Sequence, residues 1–290
     1  MTQLGALFPQ VEIGTDPIAV RDFAQAAEDL GYSHVLAYDH VLGANVDRPD
    51  RRGGRWPYTH RDTFYEPLAL FAFLAGVTRR IGLVTGIVIL PQRQTVLVAK
   101  QAATVDVLSG GRLRLGVGLG WNAVEYEALG ENFKNRGQRI EEQIAVLRAL
   151  WTRELVDFEG RWHRIPDAGI NPLPVQRPIP IWMGGWAEPV LRRVAAIADG
   201  WIVSGRPTAE IVESVHRLRG YVRENNRDPA AVGLQGGVTM RGTTPDERQR
   251  DFATWQALDA TYVTVNTVGA GLATVADHIA ALRDMKALLA

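Results

Sequence analysis

The chain has 290 residues, of which 46 % are hydrophobic and 22 % charged, the proportions of an ordinary globular protein. Lys and Arg number 32 and so do Asp and Glu, so the formal net charge is zero, which removes the simplest argument for a nucleic-acid or acidic-membrane partner. Cysteine is absent, which excludes disulfides, redox thiols, cysteine nucleophiles and thiolate metal sites.

Strand-like and helical runs alternate from end to end. Gly5-Ala6-Leu7-Phe8 reads as strand one. Asp16-Pro17 then reads as an N-cap with proline in the first turn, and Val20, Phe23, Ala24, Ala27 and Leu30 form a helical stripe that Gly31 ends. His34 to His40 is strand two. Residues 43–62 are polar and turn-rich and read as an insertion after it. Their basic run Arg51 to Arg55 suits either a phosphate or a solvated loop. A helix follows over Pro67 to Ala75.

Ile81 to Leu90 is nearly all apolar and reads as one long strand covered on both faces. A helix spans Val96 to Leu108 and stops at Gly110-Gly111. In the next stretch, Leu113, Leu115, Val117 and Leu119 alternate with Arg114, Gly116, Gly118 and Gly120, the period of a strand. Its glycines either admit a flat ligand or only relieve crowding in a packed barrel. Ile140, Ile144, Leu147 and Trp151 mark a helix, and Asp157 to His163 a small hairpin excursion around Glu159-Gly160. Pro180 to Gly185, Trp201 to Gly205, Gly233 to Val238 and Thr261 to Thr267 read as strands five to eight, each followed by a helix, the last over Val275 to Leu289. Eight such units predict a (β/α)8 TIM barrel in a single domain over residues 1–290. MTQLGALFPQ lacks a basic region followed by an apolar run, and no apolar run reaches transmembrane length, so a cytoplasmic protein with no membrane partner is expected.

A barrel places its site where strands end. Those ends offer Asp39-His40, Gly86 and its apolar neighbours, Trp121-Asn122, Gly184-Gly185-Trp186, Ser204-Gly205, Gly236-Gly237 and Asn266. None of the three lysines, Lys100, Lys134 and Lys286, falls on a strand, which argues against a Schiff-base aldolase. The set of oxygen and imidazole ligands that a metallohydrolase needs is missing, so no metal is expected. The apolar, glycine- and tryptophan-rich rim suits a large flat cofactor that carries its own chemistry. His40 could move a proton and Asp39 could bond a cofactor ring; alternatively Asp39 fixes a loop and His40 packs. Gly184 and Gly185, before a helix, suit a phosphate, and Ser204 could add a hydroxyl donor; two ordinary turns would read the same way.

Several of these segments match one family pattern. They are Tyr38-Asp39-His40, Thr85-Gly86-Ile87, Ala99 to Asp106 with Leu108 to Arg112, Gly116 to Trp121, Met183-Gly184-Gly185 and Ala198-Asp199-Gly200-Trp201. Over nearly its whole length the chain resembles the bacterial-luciferase-like oxidoreductases, which use FMN or the deazaflavin coenzyme F420, and most resembles the F420-dependent branch. The resemblance implies that Asp39 contacts the deazaflavin and that His40 handles the proton. It implies that Asn122 and Val88 line the cofactor, and that Gly184 and Gly185 hold its phosphate. It also implies a non-prolyl cis bond at Gly86-Ile87, a strain of about 3–4 kcal/mol. Sugar-phosphate dehydrogenases of that branch carry a carboxylate where Trp121 stands here, so their acid–base scheme and substrate do not transfer. An apolar or aromatic substrate near Trp121 is the reading that departure leaves. The expected activity is hydride transfer between F420 and a small organic molecule, in a homodimer. The alternatives are an FMN-dependent monooxygenase, a flavin-binding barrel without turnover and, more distantly, a cofactor-free hydrolase.

Overall fold

The computed structural model describes residues 1–47, 57–203 and 205–289. Ser204 and the basic run Arg51 to Arg55 lie outside them. Eight parallel strands form the barrel: β1 (Gln3–Leu7), β2 (His34–Ala37), β3 (Gly82–Thr85), β5 (Leu113–Gly118), β8 (Ile181–Gly184), β9 (Gly200–Ile202), β10 (Gly233–Thr239) and β11 (Tyr262–Asn266). Neighbours follow chain order, and β3 pairs with β5 and β1 with β11, so no edge is left open. The covering helices are α1 (Pro17–Asp29), α2 (Pro67–Val77), α3 (Thr95–Ser109), α5 (Arg136–Thr152), α6 (Glu188–Ile197), α7 (Ala209–Glu224), α8 (Pro245–Ala257) and α9 (Val275–Leu289). The TIM-barrel expectation holds.

The single strand predicted over 81–90 is broken. It ends at Thr85 and resumes as a two-residue strand, β4 (Val88–Ile89), which pairs with β5 through Val88–Val117 and Ile89–Gly118. Gly86 and Ile87 form a bulge between the two, and the Gly86 amide donates to the Ala37 carbonyl at 2.7 Å. Gly86-Ile87 is not among the cis bonds, which are Asn171-Pro172 and Arg177-Pro178. The cis expectation is therefore corrected: the strand is offset by leaving two residues out of the ladder.

The main core lies between strands and helices, and a smaller cluster of Leu7, Leu36, Val84, Trp182 and Ile202 fills the barrel interior. Below it, Arg114 lies over the rings of Tyr262 and Trp182, 3.9 and 4.4 Å from their centroids, and donates to Gln235 Oε1 at 2.5 Å. Burial pushes this guanidinium down to about 10, against the opposing influence of Tyr262. Glycine makes room for these large groups. A Cβ on Gly200 or Gly233 would stand 2.4 Å from the Trp182 ring, and one on Gly118 would stand 2.4 Å from Ile87. Crowding relief is thus what these positions do.

The hairpin of β6 (Val156–Glu159) and β7 (Arg164–Ala168) is held to the barrel by one carboxylate. Glu142 of α5 accepts from the amides of Arg161, Trp162 and His163 at 2.8, 2.9 and 2.8 Å, and from His163 Nδ1 at 2.7 Å. His163 Nε2 in turn meets Thr95 Oγ1 at 2.6 Å. Burial alone would raise the Glu142 carboxyl, but His163 and the three amides outweigh it and lower it. Its stabilisation is therefore full above the ordinary value of 4.5 and lost as pH falls through the lowered folded-state value. Glu142→Ala should remove about 2 kcal/mol at neutral pH, and urea melts repeated in acid should find the gap to wild type closing.

Candidate active site

The C-terminal ends of the strands surround a cleft of about 530 Å³, inside the range of roughly 300–1,000 Å³ usual for small-molecule sites. Its walls come from five strand ends: Tyr38-Asp39-His40 after β2, Gly86-Ile87 and Ile89 around β4, Leu119-Gly120-Trp121 after β5, Gly184 to Ala187 after β8, and Ile202 of β9.

At one end, buried carboxylates fix the polar groups. Asp39, only 2 % exposed, accepts the Ile89 amide on Oδ2 at 2.9 Å and Arg93 Nη2 on Oδ1 at 2.7 Å. Arg93 Nη1 also pairs with Glu66 Oε1 at 3.0 Å. Asp39 thus ties β4 to the end of β2. Glu125 sits in α4 (Ala123–Ala128), fully buried, and accepts from the amides of Val41 and Leu42 at 3.1 and 3.4 Å and from Gln92 Nε2 at 3.2 Å. His40 Nδ1 lies 3.4 Å from Glu125 Oε1, at ion-pair distance without hydrogen-bond alignment. Burial raises the Glu125 carboxyl, but His40, Gln92 and the Leu42 amide outweigh it and hold it below the ordinary range. Glu125 is therefore an anion behind the imidazole.

Rings pack the other sides of His40. Tyr58 lies over it at 3.5 Å between centroids with the rings tilted by 31°, and Phe64 meets it edge-on at 4.7 Å. Burial pushes the Tyr58 hydroxyl well above the ordinary phenol range, and the hydroxyl accepts from Asn122 Nδ2 at 3.2 Å. Trp121 stands 5.2 Å from Tyr58 and lines the cleft.

The far end is cationic. Gly185 turns the chain with φ +115°, and Trp201 Nε1 holds the turn by donating to its carbonyl at 2.7 Å. The N-terminus of α6 follows, and Ala187 at its cap supplies no side-chain acceptor. Arg136, the first residue of α5, lines this cleft; its Nη1 donates to the Phe133 carbonyl at 2.6 Å, while its Nε is buried without a partner. An uncapped helix start beside a guanidinium suits an anionic tail. The residues present therefore fit a carrier with a flat head and a phosphate-bearing tail.

Residues 5–286 match the luciferase-like monooxygenase family. The chain belongs to that family. It is 36 % identical over 246 residues to an uncharacterised protein of Mycobacterium tuberculosis, covering 81 % of this chain and 83 % of that one. It is 29 % identical to an FMNH2-dependent dimethylsulfone monooxygenase of Pseudomonas putida, over 79 % of this chain and 60 % of that one. In fold it is similar to a monooxygenase of Streptomyces bottropensis, with a TM-score of 0.80, 19 % identity, and coverage of 99 and 98 %. It is also similar to an F420-dependent secondary alcohol dehydrogenase, with a TM-score of 0.79, 15 % identity, and coverage of 100 and 99 %. Members of the luciferase-like family are F420- or FMN-dependent oxidoreductases and monooxygenases, and this chain is an enzyme of that class.

For a luciferase-like barrel, the residues expected at the cofactor divide in two. Asp39, His40, Gly86, Ile87, Gly184 and Gly185 line one cleft. Val88 and Asn122 do not line it. Val88 is wholly buried in the strand–helix core, because β4 alternates and turns Ile87 and Ile89 to the cleft instead. Asn122 is 1 % exposed and caps α4, accepting the Val124 amide at 3.1 Å. Glu125, Arg136 and Tyr58 were not anticipated. A signal existed for Glu125, since Asn122 and Glu125 have the spacing of a capping box. Arg136 carried none. Among the described residues no cluster of three or more His, Cys, Asp or Glu could hold a metal ion, and no helix is long and apolar enough to cross a membrane.

Proposed function

We propose that this cleft holds coenzyme F420 and that the enzyme moves a hydride between the deazaflavin and a small organic substrate. The observation that carries the reading is the polarity of one cleft: His40, backed by buried Glu125, stands among the residues of one end, and Arg136 with the α6 N-terminus stands at the other. The bound deazaflavin would supply or accept the hydride. His40 supplies or takes the accompanying proton, with the Glu125 carboxylate 3.4 Å behind its Nδ1. Ile87 and Ile89 press against the flat head and keep water from it. Arg136, Gly184 and Gly185 hold the phosphate, a role that Ser204 extends. Asp39 acts on the cofactor through the β4 wall that it fixes, in addition to any contact of its own.

A second reading is an FMN-dependent monooxygenase, favoured by the FMNH2-dependent relative at 29 % identity. In that case the same cleft holds FMN, and His40 serves the proton transfers that accompany oxygen chemistry. Titration of the protein with F420 and with FMN, followed by fluorescence, separates the two. Micromolar binding of F420 alone supports the first reading, binding of FMN alone supports the second, and binding of neither ends both. Arg136→Ala should weaken whichever cofactor binds by about tenfold, the worth of a charge-assisted contact. His40→Ala should lower turnover by about 10²–10⁴-fold and leave cofactor affinity within about twofold. Unchanged turnover would reject the proton role of His40, and cofactor binding with no turnover in the wild type would make the barrel a binding protein.

We infer also that the enzyme acts in the cytoplasm as a homodimer. Along α3, Val96 and Val107, and Leu97 and Leu108, recur after eleven residues, three helical turns, and are 38–59 % exposed. Phe73 of neighbouring α2 is 41 % exposed. Such an apolar stripe suits a second copy. Leu97→Asp with Leu108→Asp should convert a dimer to a monomer in sedimentation velocity; an already monomeric wild type rejects the dimer.

A further inference from the structure

The proton-handling end of the cleft has a chemical character of its own. Four rings form a continuous chain there. Phe64 and Tyr58 are 5.1 Å apart, His40 lies 3.5 Å from Tyr58, and Trp121 lies 5.2 Å from Tyr58 and 6.5 Å from His40. They come from two separate connections, β2 to α2 and β5 to α4. Tyr58 is 4 % exposed and backs the chain, while Trp121 is 43 % exposed and faces the cleft.

The charges near this wall are already committed. Asp39 is bound by Arg93 and the Ile89 amide, and Glu125 by two amides and Gln92. Among the described residues the cation beside them, Arg93, is already engaged by Asp39 and Glu66, while Glu125 is held by neutral donors with only His40 at ion-pair distance, so an anionic substrate beside His40 would meet the Glu125 anion with no free cation to relieve it. Arg136 belongs to the other end, where α5 and α6 touch: Arg193 of α6 donates to Glu141 of α5 at 2.6 Å. Among the described residues, a substrate that reaches His40 therefore meets aromatic faces and no free cation. A second aromatic, Trp186, is 59 % exposed on the same rim.

We propose that the substrate is a neutral molecule bearing an aromatic or other flat apolar ring, which stacks on Trp121 against the Tyr58–His40–Phe64 wall. Trp121 is then the specificity-determining residue. A sugar phosphate or a free carboxylic acid is disfavoured by the buried Glu125 anion. The inference rests on the cleft being the cofactor-dependent active site, and it names the substrate class for that site.

The test uses two probes that share one ring, 4-methylacetophenone and 4-methylbenzoate, titrated calorimetrically into the protein alone and into cofactor-loaded protein. The ketone should bind at least about tenfold more tightly than the carboxylate. Trp121→Ala should weaken the ketone by about tenfold, and Trp121→Phe should restore it to within about threefold, because either ring offers a face for stacking. Equal or tighter binding of the carboxylate overturns the proposal. So does an unchanged ketone affinity in Trp121→Ala, or no ketone binding at all. If the cofactor binds and the ketone preference fails, this inference alone falls. If no cofactor binds, the oxidoreductase reading falls, and the two probes on the protein alone still decide the ring preference.

Discussion

The site depends on two buried carboxylates. Asp39 reaches from the end of β2 to the Ile89 amide and to Arg93. Glu125 reaches from α4 back to the amides of Val41 and Leu42 and to Gln92. Together they lock three connections that share no local sequence. Removing either acceptor would strand buried donors, each at about 1–3 kcal/mol. Such a carboxylate cannot be exchanged for an apolar residue as freely as a core leucine, because its donors are backbone groups that stay where they are. The position of His40 follows from this. Its backbone neighbours are held by the carboxylate that also stands behind its ring.

The barrel beneath is rigid for a related reason. Its interior holds Arg114 over the rings of Trp182 and Tyr262, with no carboxylate paired to it among the described residues. Desolvating that cation is unfavourable, and ring faces together with Gln235 offset part of it. The glycines of the strands are the counterpart of the large side chains. Gly200 and Gly233 leave space for Trp182, and Gly236 leaves space for Trp255. Higher up, Gly118 and Gly184 leave space for Ile87, so that the bulge after β3 can press its side chain between β5 and β8 and still face the cleft. Small residues on two strands thus determine where one isoleucine stands.

This explains what could be read in advance. Strand and helix alternation is a local signal, repeated eight times, and it was legible. Asp39, His40, Gly184 and Gly185 were legible because they sit where strands stop. The break after Thr85 was not, because an apolar run looks the same whether its residues all join the ladder or two of them leave it. Val88 turns into the strand–helix core for that reason, since a bulge resets which residues face inward. Glu125 and Arg136 depend on contacts across long stretches of chain or across neighbouring helices, as with Val41 and Glu125, 84 residues apart. Helical periodicity records that such residues are polar, not what they approach. Tyr58 is hardest of all, because a turn-rich insertion has no period from which a buried ring can be inferred.

The two ends of the cleft make opposite electrostatic demands, and the fold separates them. An anionic tail needs donors and positive charge, which Arg136 and the start of α6 supply on the β8 side. A proton shuttle needs a counter-anion for its charged form, which Glu125 supplies on the β2 side. If both lay together, Arg136 would neutralise Glu125 and the imidazole would lose its support. Between them the walls are Ile87, Ile89 and Leu119, with Ile202 below. An apolar middle transmits each field poorly to solvent and well along the cleft. It also keeps water from the place where a flat head would sit, and His40 lines that same cleft. That arrangement needs a ligand that is itself divided into a charged tail and a planar, uncharged head, and it disfavours one that is charged throughout.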